Sequence, residues 1–235
     1  MLCRETSQMS TADLDIRSLG ERGYAIAPGL IGAEMVERAR AACPPVGRAG
    51  MRNLLARMPE AREIAESAPV RGVAAEALGA EAQLVLAILF DKAPGANWAL
   101  GFHQDTVIAV AQRIDTPGFG PWSIKDGAHH VRPPATFLQQ MLTIRVHLDA
   151  ADAASGALAV IPGTHSAGLL DSAAIRHSVE AGGAVSCDVE AGDAVLMRPL
   201  LLHGSPRATR EGGRRRVVHL EFAARPLPGP LRWAE

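Results

Sequence analysis

The hydrophobic pattern of the chain changes about a third of the way along. Residues 32–79 are rich in Ala, Glu, Arg, Met and Leu, which favour helices, and Pro44, Pro59 and Pro69 interrupt this region. Because proline begins helices well but does not continue them, we expect several short helices rather than one long helix. One of them should lie between Pro69 and Gly79, since proline near the start and glycine at the end are typical helix boundaries.

Short apolar runs follow one another after this region. They are rich in Val, Ile, Leu and Phe, and Gly, Pro and Asp separate them, which is typical of strands joined by turns. The predicted strands are 83–91, 102–111, 141–149, 157–162, 184–189, 194–197 and 214–224. Parallel strands would need helices between them, and most of the gaps resemble turns or loops. The pattern therefore predicts a mainly β protein with N-terminal helices, an antiparallel barrel or jelly roll.

Composition narrows the class of protein. The 235 residues are 48% hydrophobic, enough to bury a core as a single domain over 1–235, with a helical region 1–80, a β core 81–224 and a tail 225–235. A formal net charge of -1 gives no overall field that attracts nucleic acid or acidic lipid, so we expect a small-molecule partner and no membrane. Three widely spaced cysteines and the lack of an apolar N-terminal leader predict a cytoplasmic protein with free thiols.

One gap between predicted strands is unusually long. Residues 115–134 show no regular pattern, whereas connections in compact domains usually span about five residues. The segment contains Trp122 and the pair His129 and His130. We expect an irregular loop that closes over a bound molecule, and the alternative is a surface excursion without a role in binding.

A histidine followed two positions later by a carboxylate occurs three times. The three pairs are 103/105, 147/149 and 219/221. Residues two apart on a strand share a face, so each pair could offer an imidazole and a carboxylate to one metal ion. No histidine follows His219, and Asp149 begins a turn in which carboxylates bond the local backbone. His103 and Asp105 remain, with His203 as the candidate third ligand.

Other histidines have simpler interpretations. His165, in a Pro-Gly-Thr-His turn, is expected to bond the backbone rather than a metal ion. His177 lies in a polar connection and should be exposed. The pair His129 and His130 lacks cysteine or carboxylate partners at ligand spacing, so we assign it to a loop.

Five short motifs stand in order between residues 83 and 222. They are KAPGANW at 92–98, FHQD at 102–105, SGALAVIPGTH at 155–165, AGDAV at 191–195 and LHGS at 202–205, and three arginines follow at 214–216. Each motif alone is common. The ordered set resembles the phytanoyl-CoA dioxygenase family of iron(II)- and 2-oxoglutarate-dependent oxygenases.

The resemblance implies a double-stranded β-helix, the cupin-like jelly roll, in which His103, Asp105 and His203 bind Fe(II). Two imidazoles and one carboxylate hold ferrous iron on one face and leave room for a bidentate 2-oxo acid and dioxygen. The implied reaction decarboxylates 2-oxoglutarate to succinate and most often hydroxylates an organic substrate. Asp105 argues against halogenation, because related halogenases lack that carboxylate.

The resemblance also implies that Gln104, Ser205 and one arginine of 214–216 contact 2-oxoglutarate. A guanidinium can bind the far carboxylate through two parallel hydrogen bonds. Strand alternation places Arg216 on the more apolar face of the last predicted strand and Arg215 on the mixed face. Hydrophobicity favours Arg216 inward, whereas the family pattern aligned through the last strand selects Arg215. We expect Arg215 to bind the cosubstrate, with Arg214 and Arg216 as the alternatives.

Residues that line the substrate pocket are harder to predict. Thr143 and Arg145 share a face of strand 141–149, and Trp122 lies in the long segment 115–134. We expect these three side chains in the pocket. The family has an aromatic residue where this chain has Arg145, so an inward arginine suggests an anionic group on the substrate or cosubstrate. The alternative is a solvent-facing or ion-paired residue.

Two other functions are compatible with these residues. One is a cupin-like divalent-metal hydrolase or isomerase that uses the same ligands to activate water and has no need of the arginine. The other is a non-catalytic barrel that binds a small molecule.

Overall fold

The computed structural model describes residues 15–45, 49–125 and 127–234. The helices in these ranges are α1 (Ile16–Glu21), α2 (Ala33–Ala42), α3 (Leu54–Arg57), α4 (Pro59–Glu66), α5 (Ala68–Leu78), α6 (Ala135–Leu138) and α7 (Ser172–Glu180). The strands are β1 (Tyr24–Ala27), β2 (Gly50–Met51), β3 (Gln83–Lys92), β4 (Leu100–His103), β5 (Ile108–Val110), β6 (Trp122–Lys125), β7 (Ala128–Val131), β8 (Met141–His147), β9 (Ala159–Ile161), β10 (Val185–Ser186), β11 (Ala194–Met197), β12 (Leu202–Ser205) and β13 (Arg215–Ala223). None of the described helices is both long and apolar enough to cross a bilayer.

The N-terminal helices begin and end where the prolines predict. Helix α2 ends before Pro44, α4 begins at Pro59, and Pro69 lies in the first turn of α5. Gly79 caps the end of α5 with a φ of 95°, a conformation that L side chains rarely adopt and glycine adopts readily. The prediction of several short helices is therefore confirmed.

Six strands form the larger sheet, in the order β1-β11-β8-β13-β3-β2. Strand β13 runs antiparallel to β3 on one side and to β8 on the other. One face of β13 carries Val218, Leu220 and Phe222, and these side chains pack in a fully buried cluster with residues of α4 and α5. The apolar face of this sheet thus lies against the helices, and its mixed face points into the interior between the sheets.

The second sheet has the order β10-β9-β12-β4 and packs over that mixed face. A buried cluster joins Val195 and Met197 of the larger sheet to Val160 and Leu201 of the second sheet. The described strands form separate antiparallel sheets and not one closed barrel. The predicted mainly β fold with N-terminal helices is confirmed, and of the two architectures expected the jelly roll is the one observed.

The segment 115–134 is not irregular, contrary to the prediction. Strands β6 and β7 form an antiparallel hairpin, and β7 pairs with β5 in a third sheet. Gly127, with a φ of 81°, lies in the turn of the hairpin. His129 and His130, assigned to a loop, lie in β7. These strands are short and rich in polar side chains, so they do not show the alternation of apolar and polar residues by which a strand is recognised in a sequence. A role as a lid stays a prediction.

Several other boundaries differ from the predictions. The expected strand 102–111 is two strands, β4 in the second sheet and β5 in the third, because the chain leaves the second sheet at Asp105. Helix α7 was not predicted, although Asp171 caps it through the backbone N–H groups of residues 173 and 174. His177 lies in this helix and is exposed, as expected. His165 bonds the backbone carbonyl of Gly20, at 3.1 Å, which fits its expected structural role.

Candidate metal centre

Two neighbouring strands bring the candidate metal ligands together. Strands β4 and β12 are paired so that His103 lies opposite His203, with ring centroids 4.3 Å apart. Asp105 follows β4, and its carboxylate oxygens lie 3.6 Å from Nε2 of His103 and 3.5 Å from Nε2 of His203. One ligand atom from each residue lies within 4.8 Å of the others. The three residues selected from the sequence therefore converge on one point.

Backbone carbonyls orient both imidazoles. Nδ1 of His103 lies 2.9 Å from the Gly101 oxygen, and Nδ1 of His203 lies 2.9 Å from the Leu201 oxygen. A carbonyl oxygen only accepts, so each Nδ1 carries the hydrogen and donates it. Each Nε2 then presents its lone pair to the shared point, as metal-binding histidines require. The strand pairing and these two bonds fix the ligand geometry before any ion binds.

The protonation states of His203 and Asp105 also suit a cation. Burial lowers the pKa of His203 to about 4, so this imidazole is neutral near pH 7. Burial alone would raise the pKa of Asp105, but the two facing imidazoles outweigh it, so the carboxylate stays charged near pH 7. Two imidazole nitrogens and one charged carboxylate form the donor set that ferrous iron accepts on one face. The residues present therefore fit an Fe(II) site.

The three consecutive arginines have different environments. Arg214 forms a two-point salt bridge with Asp91, at 3.0 and 2.6 Å, and Arg216 forms one with Asp149, at 2.8 and 2.7 Å. Arg215 is only 2% exposed and has no carboxylate within ion-pair distance in the described residues. Its Nη2 donates to the Ser205 hydroxyl at 3.2 Å, while its buried Nε and Nη1 have no partner in the part of the chain that the structure describes. An unpaired buried guanidinium is costly, and an anionic ligand would remove that cost.

Lys92 adds a second cation at the same place, which the prediction from sequence missed. Its Nζ donates to the Ser205 hydroxyl at 3.0 Å and to the Pro206 carbonyl oxygen, and it lies 4.5 Å from the ring centroid of Trp98. Burial, with the charge of Arg215, lowers the pKa of Lys92 to about 8. The sequence offered one indication of this role, because Lys92 is the first residue of the KAPGANW motif. Lys92 and Arg215 therefore converge on the Ser205 hydroxyl, and their two positive charges favour an anionic group beside it.

The structure does not support the expected contact between Gln104 and 2-oxoglutarate. The side-chain Nε2 donates to the carbonyl oxygens of Gly168, at 2.8 Å, and Leu200, at 2.7 Å, and Oε1 accepts from the N–H of Leu170 at 2.8 Å. Because neighbouring residues of extended chain point to opposite sides, Gln104 points away from the side that His103 and Asp105 share. Its three hydrogen bonds instead tie the second sheet to the segment before α7.

We therefore expect Gln104→Ala to lower the free energy of unfolding by about 1–3 kcal/mol, since one buried and two partly buried backbone groups lose their partner. Urea denaturation of the metal-free protein measures this, and metal stoichiometry should not change. Gln104→Glu is the control, because its carboxylate would face the Gly168 and Leu200 carbonyls and should stabilise no better than alanine. Unchanged stability together with weaker 2-oxoglutarate binding would restore the original interpretation.

The predicted pocket residues lie in two places. Thr143 and Arg145 are buried on the mixed face of the larger sheet, 1% and 4% exposed. Arg145 is therefore neither solvent-facing nor ion-paired, since in the described residues its one hydrogen bond joins Nη1 to Nδ1 of His219 at 2.9 Å. Trp122, in β6, is half-buried and packs at the edge of a separate apolar cluster. Substrate contacts from these three residues stay a prediction.

The family model for phytanoyl-CoA dioxygenase (PhyH) matches residues 19–217. The chain belongs to this family. No curated protein matches it in sequence. The predicted resemblance is thus confirmed over most of the chain.

Solved structures confirm the fold. AviO1 from Streptomyces viridochromogenes Tue57 is 20% identical, with a TM-score of 0.67 over 96% of this chain and 99% of that one. The non-heme alpha-ketoglutarate-dependent carbocyclase SnoK from nogalamycin biosynthesis is 17% identical, with a TM-score of 0.70 over 92% and 87%. HygX from Streptomyces hygroscopicus, solved with nickel and 2-oxoglutarate bound, is 18% identical, with a TM-score of 0.64 over 94% and 87%.

Proposed function

We propose that the protein is an Fe(II)- and 2-oxoglutarate-dependent dioxygenase that hydroxylates a small organic substrate and releases succinate. The observation that carries the proposal is the pairing of the His103, Asp105 and His203 cluster with Arg215, a buried cation that has no counter-ion among the described residues. Family membership supports it, and HygX, a neighbour in fold, was solved with 2-oxoglutarate bound.

Each residue then has a defined task. His103, Asp105 and His203 would hold Fe(II), which supplies the redox chemistry with dioxygen and the 2-oxo acid. The carbonyls of residues 101 and 201 keep the imidazole lone pairs directed at the ion. Arg215 and Ser205 bind and orient the far carboxylate of the cosubstrate. His103 and Asp105 are about a third exposed, whereas His203 is buried, so the open side of the cluster admits the substrate.

A metal hydrolase or isomerase accounts for less of the structure. It would use the same three ligands to activate water, but it would leave the buried Nε and Nη1 of Arg215 without a partner among the described residues. The type of oxidation is a separate question, because SnoK is described as a carbocyclase and SnoN, another neighbour in fold, as an epimerase. Hydroxylation adds one oxygen atom to the substrate, whereas those two reactions need not, so product mass distinguishes them.

An anaerobic titration tests the proposal. Adding Fe(II) and then 2-oxoglutarate should produce a weak visible charge-transfer band, and admitting dioxygen should yield succinate. Protein loaded with zinc is the control, because this d¹⁰ ion has no redox chemistry. Full loading with Fe(II) but no band and no succinate would instead favour a hydrolase, an isomerase or a binding protein.

A further inference from the structure

A line of three polar side chains crosses the mixed face of the larger sheet beside the metal cluster. The register of β8 and β13 places Arg145 opposite His219 and Thr143 opposite Glu221. Nη1 of Arg145 lies 2.9 Å from Nδ1 of His219, and Nε2 of His219 lies 3.2 Å from Oε1 of Glu221. An arginine only donates, so Nδ1 accepts and Nε2 carries the hydrogen that it donates to the glutamate. The order of donation is therefore arginine to histidine to carboxylate.

These contacts fix the guanidinium of Arg145 but leave most of its donors free. One face lies over the ring of Phe90, with 5.3 Å from Cζ to the ring centroid. The bond to His219 uses one of five N–H groups, and Nε is buried without a partner. Burial lowers the pKa of Arg145 to about 10 and the charge of Asp105 opposes this, so the group stays protonated and interacts electrostatically with the metal cluster.

Among the residues that the structure describes, the interior between the sheets has one cation more than it has carboxylates. Lys92, Arg145 and Arg215 are buried, whereas the carboxylates among them are those of Asp105 and Glu221. A ferrous ion and a 2-oxoglutarate dianion would cancel each other, so the excess of one positive charge would persist with both bound. A buried charge without a counter-ion is costly, and the organic substrate is the component left to supply one.

The far carboxylate of 2-oxoglutarate is not available to Arg145. Lys92 and Arg215 converge on Ser205, where that carboxylate would bind. The backbone of Arg145 lies opposite His219, and along β13 His219 is four residues from Arg215, a backbone spacing of about 13 Å at the usual rise of a strand. The paired residues His147 and Val217 lie on the sheet between Arg145 and Arg215.

We propose that Arg145 binds a carboxylate group of the organic substrate and that His219 and Glu221 position its guanidinium. A carboxylate supplies the single negative charge that the interior lacks, and its two oxygens match two parallel guanidinium N–H groups. The inference rests on the proposed function, because it assigns the other arginine to the cosubstrate. With this role for Arg145, the chain would be an oxygenase that acts on small carboxylic acids.

The test is a binding experiment that does not depend on turnover. Zinc-loaded protein saturated with 2-oxoglutarate is titrated calorimetrically with a panel of aliphatic and aromatic monocarboxylic acids, each paired with its methyl ester. Acids should bind and their esters should bind at least tenfold more weakly. Arg145→Gln should weaken the acids roughly 30-fold or more, the usual loss when one partner of a buried charge pair is removed. It should leave the affinity for 2-oxoglutarate unchanged.

Two further variants separate binding from folding. Arg145→Phe should fold, because an apolar ring packed on Phe90 needs no counter-ion in this buried position, and it should bind esters as well as acids. Arg145→Lys should recover part of the acid affinity. Glu221→Gln should weaken acid binding several-fold without changing metal stoichiometry or 2-oxoglutarate affinity, which a merely structural role would not predict.

The possible results distinguish failure of this inference from failure of the proposed function. Absence of any acid preference across the panel, or acid affinity that Arg145→Gln leaves intact, would overturn the inference while the proposed function stands. Loss of 2-oxoglutarate affinity in Arg145→Gln would assign Arg145 to the cosubstrate instead and also overturn it. Failure of the wild-type protein to bind 2-oxoglutarate at all would refute the proposed function itself.

Discussion

Replacement of Asp105 by alanine should abolish succinate formation from 2-oxoglutarate. Asp105 is the one carboxylate of the cluster, and its oxygens lie within 3.6 Å of both ligand imidazoles. Without it two neutral nitrogens remain to hold a divalent cation, and both the charge and the third donor are lost. The measurement is succinate yield under saturating Fe(II) and 2-oxoglutarate, together with iron bound per chain after desalting.

Asp149→Ala is the matched control, because Asp149 belongs to the other His-x-Asp pair of the chain. Its carboxylate holds Arg216 on the side of the sheet that faces the helices, and it takes no part in the cluster. This variant should unfold at a lower temperature but retain iron and succinate formation when folded. Undiminished turnover by Asp105→Ala, or loss of iron from folded Asp149→Ala, would contradict the assignment of the metal site.

The His-x-carboxylate pattern alone could not choose among its three occurrences, and the structure explains why the resemblance was needed. A shared face on one strand brings His103 and Asp105 together, and this holds for any strand. The third ligand comes from the pairing of β4 with β12, about a hundred residues later. Such pairing depends on packing between distant segments, which local spacing does not encode.

Alternation on β13 was predictable because one of its faces is almost wholly apolar. Val218, Leu220 and Phe222 face the helices, so the alternate residues face the interior. The hairpin of β6 and β7 was not predictable in this way, because its strands are short and rich in polar side chains, and their pairing with β5 joins segments that local spacing does not connect. The position of Gln104 was missed for a related reason, since its partners at 168, 170 and 200 are remote in sequence.

Replacement of Arg215 by glutamine should weaken 2-oxoglutarate binding by about 30-fold or more, the loss expected when one partner of a buried charge pair costs about 2–5 kcal/mol. The metal cluster does not include this residue, so iron binding should persist. Arg215→Lys should restore only part of the affinity, because a lysine cannot form two parallel hydrogen bonds to a carboxylate. Quenching or calorimetric titration of the iron-loaded protein under anaerobic conditions gives the affinities.

The neighbouring arginines are the controls. Substitution of Arg214 or Arg216 should lower stability but not 2-oxoglutarate binding, whereas substitution of Arg215 should do the reverse. Arg214→Gln and Arg216→Gln each break a salt bridge, so they should lower the melting temperature but keep the further rise that 2-oxoglutarate causes. Arg215→Gln removes a buried cation with two unpaired nitrogens, so the ligand-free protein should melt no lower than wild type and should lose that rise. If Arg214→Gln or Arg216→Gln instead lost the rise in melting temperature that 2-oxoglutarate causes, the cosubstrate would bind to a different arginine.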